Sequence, residues 1–220
     1  SRLPDTVKVC RVSIPGTHDS GTAGVGILTR HYARTQKLFI AEQWDAGIRF
    51  FDLRPKLVGD KLKIYHGPAN CHITLNEALS ILKQKLEQNP TEFCIVMTNN
   101  AGGGQASVDM TMQIIQDVFP PQMLADFKAD MRVADTRGRI LFLHRNIPSP
   151  GLQTPGAVIQ GWPGNSLSRH SRLESTSGNS ALFWVQDCYT SGANDGPLFI
   201  KRKWDILESQ IRNIWAISKE

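Results

Sequence analysis

Short apolar runs of strand length recur along the chain and alternate with stretches of helical periodicity. The runs are residues 7–14, 47–53, 61–65, 93–98, 139–143, 157–160 and 182–186. Several are almost continuously apolar, as in ILFL, LFWV and CIVM, which is typical of parallel strands buried on both faces. The pattern therefore predicts a parallel sheet.

Helical spacing appears in three stretches between or after these runs, at residues 74–88, 110–118 and 204–214. The first begins with Thr74 and has Glu77 three residues later, which predicts a capping box. The second is stopped by Pro120 and Pro121. Glycines 102–104 precede it and lack the lysine of a phosphate-binding loop, so they are interpreted as a strand-to-helix loop. Strands that alternate with helices predict an α/β fold.

Composition is that of an ordinary globular protein, with 220 residues, 40% apolar and 20% charged. One domain spanning residues 1–220 is expected, in monomeric form. The net charge of +5 favours an anionic partner such as a phosphate-bearing or membrane surface. No nucleic-acid-binding motif is present, so nucleic acid is not an expected partner. The chain starts at Ser1 without a signal peptide, and we expect a secreted protein whose leader has been removed.

The four cysteines have no metal-ligand spacing. Cys10 and Cys94 lie within apolar runs, where a free cysteine acts as a small buried hydrophobic residue. Both are therefore predicted to be buried, and no metal site is predicted from the cysteines.

Polar and titratable residues follow five of the apolar runs at their carboxyl ends. These groups are His18-Asp19, Asp52-Leu53-Arg54, His66-Gly67, His144-Arg145-Asn146 and Gln186-Asp187-Cys188-Tyr189. In a parallel α/β barrel the carboxyl ends of the strands lie on one face, where the active site is built. The sequence therefore predicts a site at this face.

Two histidines, an aspartate and an arginine at one barrel mouth suit transfer of a phosphodiester without a metal. One imidazole takes a proton from an attacking hydroxyl and the other gives one to a leaving oxygen. An arginine binds two phosphate oxygens as negative charge develops. A metal centre is disfavoured because His18 and His66 lack HExxH spacing. A serine hydrolase is disfavoured because no GxSxG motif is present.

Four segments carry a resemblance to a known family: SIPGTHDSGT, TQKLFIAEQWDAGIRFFDLRP, LKIYHGP and EFCIVMTNN. They resemble the X-domain of phosphatidylinositol-specific phospholipases C in its bacterial form, over about residues 9–189. The resemblance implies an irregular parallel (β/α) barrel of TIM type. It also implies cleavage of phosphatidylinositol to diacylglycerol and inositol 1,2-cyclic phosphate, with no cofactor.

The resemblance assigns roles to four residues. His18 would be the base that takes the proton of the inositol 2-hydroxyl, and His66 the acid that protonates the diacylglycerol oxygen. Asp19 would support His66. Arg54 would stand where the eukaryotic enzymes hold calcium with a carboxylate, which implies a metal-independent enzyme.

Substrate contacts carry over to Arg145 and Asp187, which match inositol-binding residues, and to Tyr189, which matches an aromatic that stacks on the sugar ring. Where bacterial relatives have a lysine after the third main strand, this chain has Asn99 and Asn100. Asn100 is assigned as the substrate contact there, with a weaker grip on phosphate or inositol.

Six main parallel strands are predicted where closure of the barrel needs eight. The barrel is therefore expected to be incomplete at its C-terminal end, without the late aspartate that orients the base in the family.

These inferences predict a phosphodiesterase acting on inositol phospholipids or membranes. The alternative is a binding module of the same fold that recognises a phosphoinositide or glycan without cleaving it. A glycerophosphodiester phosphodiesterase ranks last, because that family opens on a His-Arg-Gly turn and this chain has His18-Asp19-Ser20.

Overall fold

The computed structural model describes residues 3–128, 130–159, 162, 171–174, 182–185, 205 and 208. The strands are β1 (Gly16–Thr17), β2 (Phe50–Leu53), β3 (Pro55–Val58), β4 (Lys61–His66), β5 (Ala69–Thr74), β6 (Cys94–Thr98), β7 (Leu124–Ala125), β8 (Ile140–His144), β9 (Ala157–Val158), β10 (Ser171–Glu174) and β11 (Leu182–Val185). The helices are α1 (Arg30–Ala33), α2 (Ile40–Asp45), α3 (Leu75–Gln88) and α4 (Gly104–Val118). Four short 3-10 helices are Val9–Arg11, Thr22–Gly24, Pro121–Met123 and Val133–Thr136. No helix within the described residues is long and apolar enough to cross a bilayer.

A parallel sheet of six strands forms the centre of the fold, in the order β1-β2-β6-β8-β7, with β9 also paired to β8. Phe50 is in register with Ile95, and Ile95 with Leu141. These three side chains lie in or against one apolar cluster, while their neighbours Phe51 and Val96 belong to a second cluster that includes residues of helices α2 to α4. The sheet is therefore apolar on both faces, as the continuous runs predicted.

The capping box at the start of α3 is confirmed. The Thr74 side chain accepts a hydrogen bond from the Glu77 backbone N–H, and the Glu77 carboxylate accepts one from the Thr74 backbone N–H. The hydrogen bonds that the Thr74 backbone N–H and hydroxyl donate to the Glu77 carboxylate lower the pKa of Glu77. Helix α4 also exists but begins at Gly104, so the third glycine of the predicted loop is helical and Gly103 is its left-handed N-cap, with φ of 93°.

The first predicted strand, residues 7–14, is wrong. The segment forms a 3-10 turn and bonds to the neighbouring loop, with Val9 N–H donating to Met131 and Val133 N–H donating to Val7. Cys10 lies on this turn and is exposed, whereas Cys94 is buried as predicted.

Two further runs form strands but not parallel ones. Residues 61–65 become β4, the middle strand of an antiparallel sheet with β3 and β5. The turn that precedes it contains Gly59 with φ of 63°, and a tight turn of this kind returns the chain antiparallel. β11 pairs antiparallel with β10. Of the predicted helix 204–214, two residues lie within the described part of the chain, Asp205 and Glu208, and both are helical. The rest of the prediction lies outside the described residues.

Candidate active site

The turn after β1 is held against β2 by a dense set of hydrogen bonds. The Ser20 N–H donates to the Asp52 carbonyl, and the Asp52 N–H donates to the Ser20 hydroxyl, each at 2.8 Å. Buried Gln43 on α2 donates its side-chain amide to the Ser20 carbonyl at 2.8 Å. Asp19 has a positive φ of 49°. A short polar residue tolerates this conformation, so the turn holds the His18-Asp19 pair at the end of the strand.

Asp19 is the centre of the site. Its carboxylate is almost fully buried, and Oδ1 lies 2.7 Å from the Arg54 Nε. Oδ2 lies 3.1 Å from His18 Nε2 and 3.4 Å from His66 Nε2. Within the described residues Oδ2 makes no aligned hydrogen bond, although an imidazole nitrogen of each histidine lies beside it. One carboxylate thus faces both histidines and the arginine that the sequence singled out.

Arg54 lies two residues after Asp52, and side chains two positions apart along an extended chain point to the same face. The Arg54 Nη2 lies 3.0 Å from Asp52 Oδ2 and 3.3 Å from His18 Nε2. The guanidinium therefore joins two carboxylates and touches the imidazole of His18.

Asp52 is a further residue of the site, for which no role was predicted from the sequence. Its Oδ2 accepts a hydrogen bond from the Asp19 backbone N–H at 3.1 Å and lies 3.6 Å from His18 Nδ1. Burial raises the pKa of Asp52, while the charge of Arg54 opposes this shift. The signal that could have identified it is its spacing to Arg54 in Asp52-Leu53-Arg54.

His66 comes from the antiparallel sheet, at the end of β4. Its Nδ1 lies 2.7 Å from the carbonyl oxygen of Ala33, which can only accept, so Nδ1 carries a hydrogen. Its Nε2 faces Asp19 Oδ2. Each ring nitrogen of His66 therefore has an oxygen acceptor opposite it.

The segment around residues 33–36 contacts both histidines. The Gln36 side-chain amide donates to the His18 carbonyl at 2.8 Å, and the Thr35 hydroxyl donates to the same carbonyl at 3.0 Å. Ala33 supplies the carbonyl that binds His66. Exposed apolar side chains flank residues 33–36 in the sequence: Ile27, Leu28, Tyr32, Leu38 and Phe39. We call these five residues the apolar rim.

Arg145 follows β8 at the same level as Arg54 and Asn99 on the neighbouring strands. The Asn99 N–H donates to the Leu53 carbonyl, and the Arg145 N–H donates to the Thr98 carbonyl, each at 3.0 Å. Alternation puts Asn99 and Arg145 on the face of Met97 and Leu143. The Arg145 guanidinium lies 5.4 Å from the centre of the Trp162 ring.

Asn100 contacts helix α4. Its side-chain amide donates to Ser107 Oγ at 2.8 Å and to Thr111 Oγ1 at 3.0 Å. Asn99, rather than Asn100, lies on the same face of the sheet as Met97, Leu143 and Arg145, which we call the inner face. Asp187 and Tyr189, the two other predicted substrate contacts, lie outside the described residues.

His144 is the strand-end histidine that does not face the site. It is buried, Thr98 Oγ1 lies 2.7 Å from Nδ1, and Nε2 donates to the Pro155 carbonyl at 2.7 Å. Its ring stacks on Phe142. Burial lowers the pKa of His144 to about 4. The residue therefore joins β8 to the following loop as a neutral core group.

His18, Asp19 and Asp52 offer ligand atoms that all lie within 4.8 Å of one another, which is a spacing that a metal ion can use. In this arrangement, however, the guanidinium of Arg54 forms ion pairs with both carboxylates. A fixed positive charge thus already lies against the anionic groups that would ligate a cation.

No family model matches the chain. It is 34% identical over 154 residues to the 1-phosphatidylinositol phosphodiesterase of Listeria monocytogenes, which covers 66% of this chain and 48% of the relative. The protein of the same name from Staphylococcus aureus is 27% identical over 154 residues, 66% of this chain and 49% of the relative. The chain thus spans about half the length of the curated relatives it matches.

Solved structures of bacterial phosphatidylinositol-specific phospholipases C also resemble this chain. The phosphatidylinositol-specific phospholipase C of Listeria monocytogenes superposes with a TM-score of 0.62 at 30% identity, covering 75% of this chain and 63% of that one. The Staphylococcus aureus enzyme superposes with a TM-score of 0.68 at 22% identity, covering 86% and 65%. The fold is therefore the predicted irregular parallel α/β barrel of TIM type. The chain is a homologue of the bacterial phosphatidylinositol-specific phospholipases C.

Proposed function

We propose that this chain carries the catalytic site of a phosphodiesterase that cleaves phosphatidylinositol by acid–base catalysis without a metal. The observation that supports this most directly is the position of Asp19 Oδ2, within 3.4 Å of an imidazole nitrogen of both His18 and His66. Two imidazoles on one carboxylate form a matched base and acid, and Arg54 beside them supplies a fixed positive charge.

In the proposed reaction, His18 takes the proton from the inositol 2-hydroxyl. The 2-oxygen attacks the neighbouring phosphorus with the electron pair that the proton leaves behind, and this closes the 1,2-cyclic phosphate. The bond between phosphorus and the diacylglycerol oxygen breaks, and His66 gives a proton to that oxygen. A positioned acid or base typically accelerates such a reaction about 10²–10⁴-fold.

Arg54 stabilises the negative charge that develops on the phosphoryl oxygens. Asp19 and Asp52 hold its guanidinium from one side, so the donor geometry exists before substrate arrives. The proposed substrate contacts are Arg145 on the inner face of the sheet, together with Asp187 and Tyr189.

The apolar rim supports a membrane as the proposed site of action. Ile27 and Leu28 are 77% and 85% exposed, and the rim adjoins the segment that bonds to both histidines. A cluster of exposed apolar side chains marks an interaction site, and the proposed substrate lies in a lipid bilayer. The rim is therefore proposed to enter the bilayer surface.

The test uses vesicles that contain phosphatidylinositol, with excess chelator, and measures release of inositol cyclic phosphate. We expect turnover that chelator leaves unchanged. His66→Ala should reduce it at least 100-fold without altering the circular dichroism spectrum, because the ring is partly exposed. His72→Ala, which removes an exposed histidine on the next strand, is the matched control.

Loss of turnover in chelator would contradict the metal-independent mechanism, and an active His66→Ala variant would remove His66 from the acid role. Binding of phosphatidylinositol by calorimetry with no product after long incubation would instead favour the binding module.

A further inference from the structure

The antiparallel sheet β3–β4–β5 has two chemically different faces. Leu62, Ile64 and Cys71 are buried on one face, in the cluster packed by α3 and α4. The opposite face carries Lys56, Lys61, Lys63 and Tyr65, because these residues alternate with the buried ones and Lys56 is in register with Lys63. We call these four residues the lysine face.

Charge on this sheet has one sign. The sixteen residues of the three strands contain three lysines and neither aspartate nor glutamate. These three lysines are among the 25 lysines and arginines of the chain. The closest acidic residues in sequence are Asp52, which pairs with Arg54, Asp60 in the turn, and Glu77, whose carboxylate accepts hydrogen bonds from Thr74 and also feels the charge of Lys61.

Lys56 and Tyr65 show how the lysine face is ordered. The Lys56 Nζ lies 5.0 Å from the centre of the Tyr65 ring, and the stem of Lys56 runs along Gly102. The Lys56 side chain therefore leans from the edge strand β3 towards Tyr65 on β4. Lys61 is exposed, and Lys63 is half-buried beside it.

Strand β4 connects the lysine face to the candidate active site, with the His66 side chain on the opposite face of the strand, that of Leu62 and Ile64. β4 ends at His66, and the Tyr65 N–H donates to the Arg54 carbonyl at 3.0 Å. At about 3.3 Å per residue, Lys63 and Lys61 lie roughly 10 and 16 Å along the strand from His66.

The other edge of the sheet adjoins the apolar rim. Gly24 packs against the Cys71 carbonyl of β5, and a Cβ on Gly26 would lie 3.7 Å from the His72 Nε2. Ile27 and Leu28 follow directly. The basic sheet and the exposed apolar side chains are therefore neighbours beside one site.

We propose that the lysine face binds anionic phospholipid headgroups in the bilayer around the substrate. The inference rests on the proposed function for its membrane and extends it to the lipids that the enzyme does not cleave. Ammonium groups spaced along a strand attract phosphate groups at a surface, and the neighbouring rim supplies the apolar contact that favours a bilayer as the partner. Attraction of this kind weakens as salt rises.

The experiment measures sedimentation of the full chain with vesicles that contain no phosphatidylinositol. One set is phosphatidylcholine alone, and the other is phosphatidylcholine mixed with phosphatidylglycerol. The variant replaces Lys56, Lys61 and Lys63 with glutamine. The matched control replaces Lys8, Lys83 and Lys128 with glutamine, which removes the same charge from other parts of the surface. Cleavage of short-chain, monomeric phosphatidylinositol is measured in parallel.

We expect the affinity for the mixed vesicles to fall about 5-fold for each lysine, or roughly 100-fold for the triple variant. The control should lose far less, binding to phosphatidylcholine should change little, and high salt should remove the difference. Cleavage of the monomeric lipid should stay at the parent level.

Equal losses in the variant and the control would overturn the proposal, because net charge alone would then explain binding. No loss in the variant would overturn it too, as would tighter binding of a short RNA than of the vesicles. If the parent binds through the lysine face but cleaves no phosphatidylinositol, the docking proposal stands and the proposed function fails.

Discussion

At the scale of residues, Asp52 links the parts of the site. It accepts hydrogen bonds from the Arg54 guanidinium and the Asp19 backbone, and it lies 3.6 Å from His18. In the bacterial family a late aspartate was expected to orient the base. In the described residues Asp52 is the carboxylate opposite His18 Nδ1, so we assign it a positioning role.

Asp52→Asn should lower cleavage of phosphatidylinositol about 100-fold, because Arg54 loses one of the two charges that hold it and moves relative to the phosphate. The loss should appear mainly in kcat, measured on monomeric substrate. Asp45→Asn, which removes an exposed carboxylate paired with Lys85, should change neither kcat nor KM. Full activity of Asp52→Asn would remove Asp52 from the site.

Residue patterns in the sequence identified most side chains of the candidate active site. They missed the role of Asp52 and the face on which Asn99 and Asn100 lie. His18, Asp19, Arg54 and His66 were found because each stands at or beyond the end of an apolar run. Asp52 stood in the same strand-end group as Arg54 but received no role, because the resemblance assigned roles only to the two histidines, Asp19 and Arg54. Only the strand register shows which face of the sheet Asn99 and Asn100 occupy, because a shift of one residue moves a side chain to the opposite face.

His144 makes stability dependent on pH. Its folded pKa, about 4, lies below the ordinary value of 6.5, so acid favours the unfolded chain, which binds the proton more readily. Its contribution is complete above pH 6.5 and should be lost as the pH falls towards 4, at a cost of roughly 3 kcal/mol.

Urea unfolding across this range measures the effect. His144→Gln should flatten the slope between pH 6.5 and 4, whereas the exposed His72→Gln should leave it as in the parent. An unchanged slope in His144→Gln would contradict this assignment.

At the scale of elements, the short strand β9 depends on a close approach of two backbones. Gly156 precedes β9 with φ of 85°, and a Cβ there would overlap the carbonyl oxygen of Phe142 in β8. Glycine is required at this position for both its conformation and its size.

Gly156→Ala should lower the free energy of unfolding by about 3 kcal/mol or more, since strain and a backbone clash add. Gly151→Ala is a matched control, because its φ is 83° and a Cβ there meets no heavy atom of the described residues within 4 Å. The control should cost about 1 kcal/mol. Equal losses in urea unfolding would show that conformation alone matters at Gly156.

Several strand positions were predictable from apolar runs, but residues 7–14 form a 3-10 turn instead, and the directions of the strands were not predictable. Residues 61–65 were found as a strand, yet periodicity does not reveal which neighbour a strand will pair with. The tight turn at Gly59 and Asp60 was the available signal for a hairpin. His66 therefore reaches the site from a second sheet rather than from a barrel strand.

At the scale of the whole molecule, the apolar rim borders the segment that contacts both histidines, and the lysine face belongs to the sheet that carries His66. Ile27→Ser with Leu28→Ser should weaken binding to phosphatidylcholine vesicles about 10-fold or more, because two exposed apolar side chains are lost from the docking surface. Thermal stability should remain at the parent value, since neither side chain packs in the core.

Vesicle sedimentation and thermal unfolding measure the two quantities. Ile147→Ser is the control, because that residue is 59% exposed and lies outside the rim. Vesicle binding by the double variant at the level of this control would exclude the rim as a docking surface.

The sharing of Asp19 Oδ2 by two imidazoles has a consequence for the charge of the site during turnover. In the proposed reaction one proton leaves His66 as another arrives on His18, and both rings lie beside the same oxygen. The positive charge therefore moves a few ångströms while its total stays constant. A buried carboxylate then keeps a counter-ion throughout, and bulk water is needed only to move the proton back from His18 to His66 after the products leave.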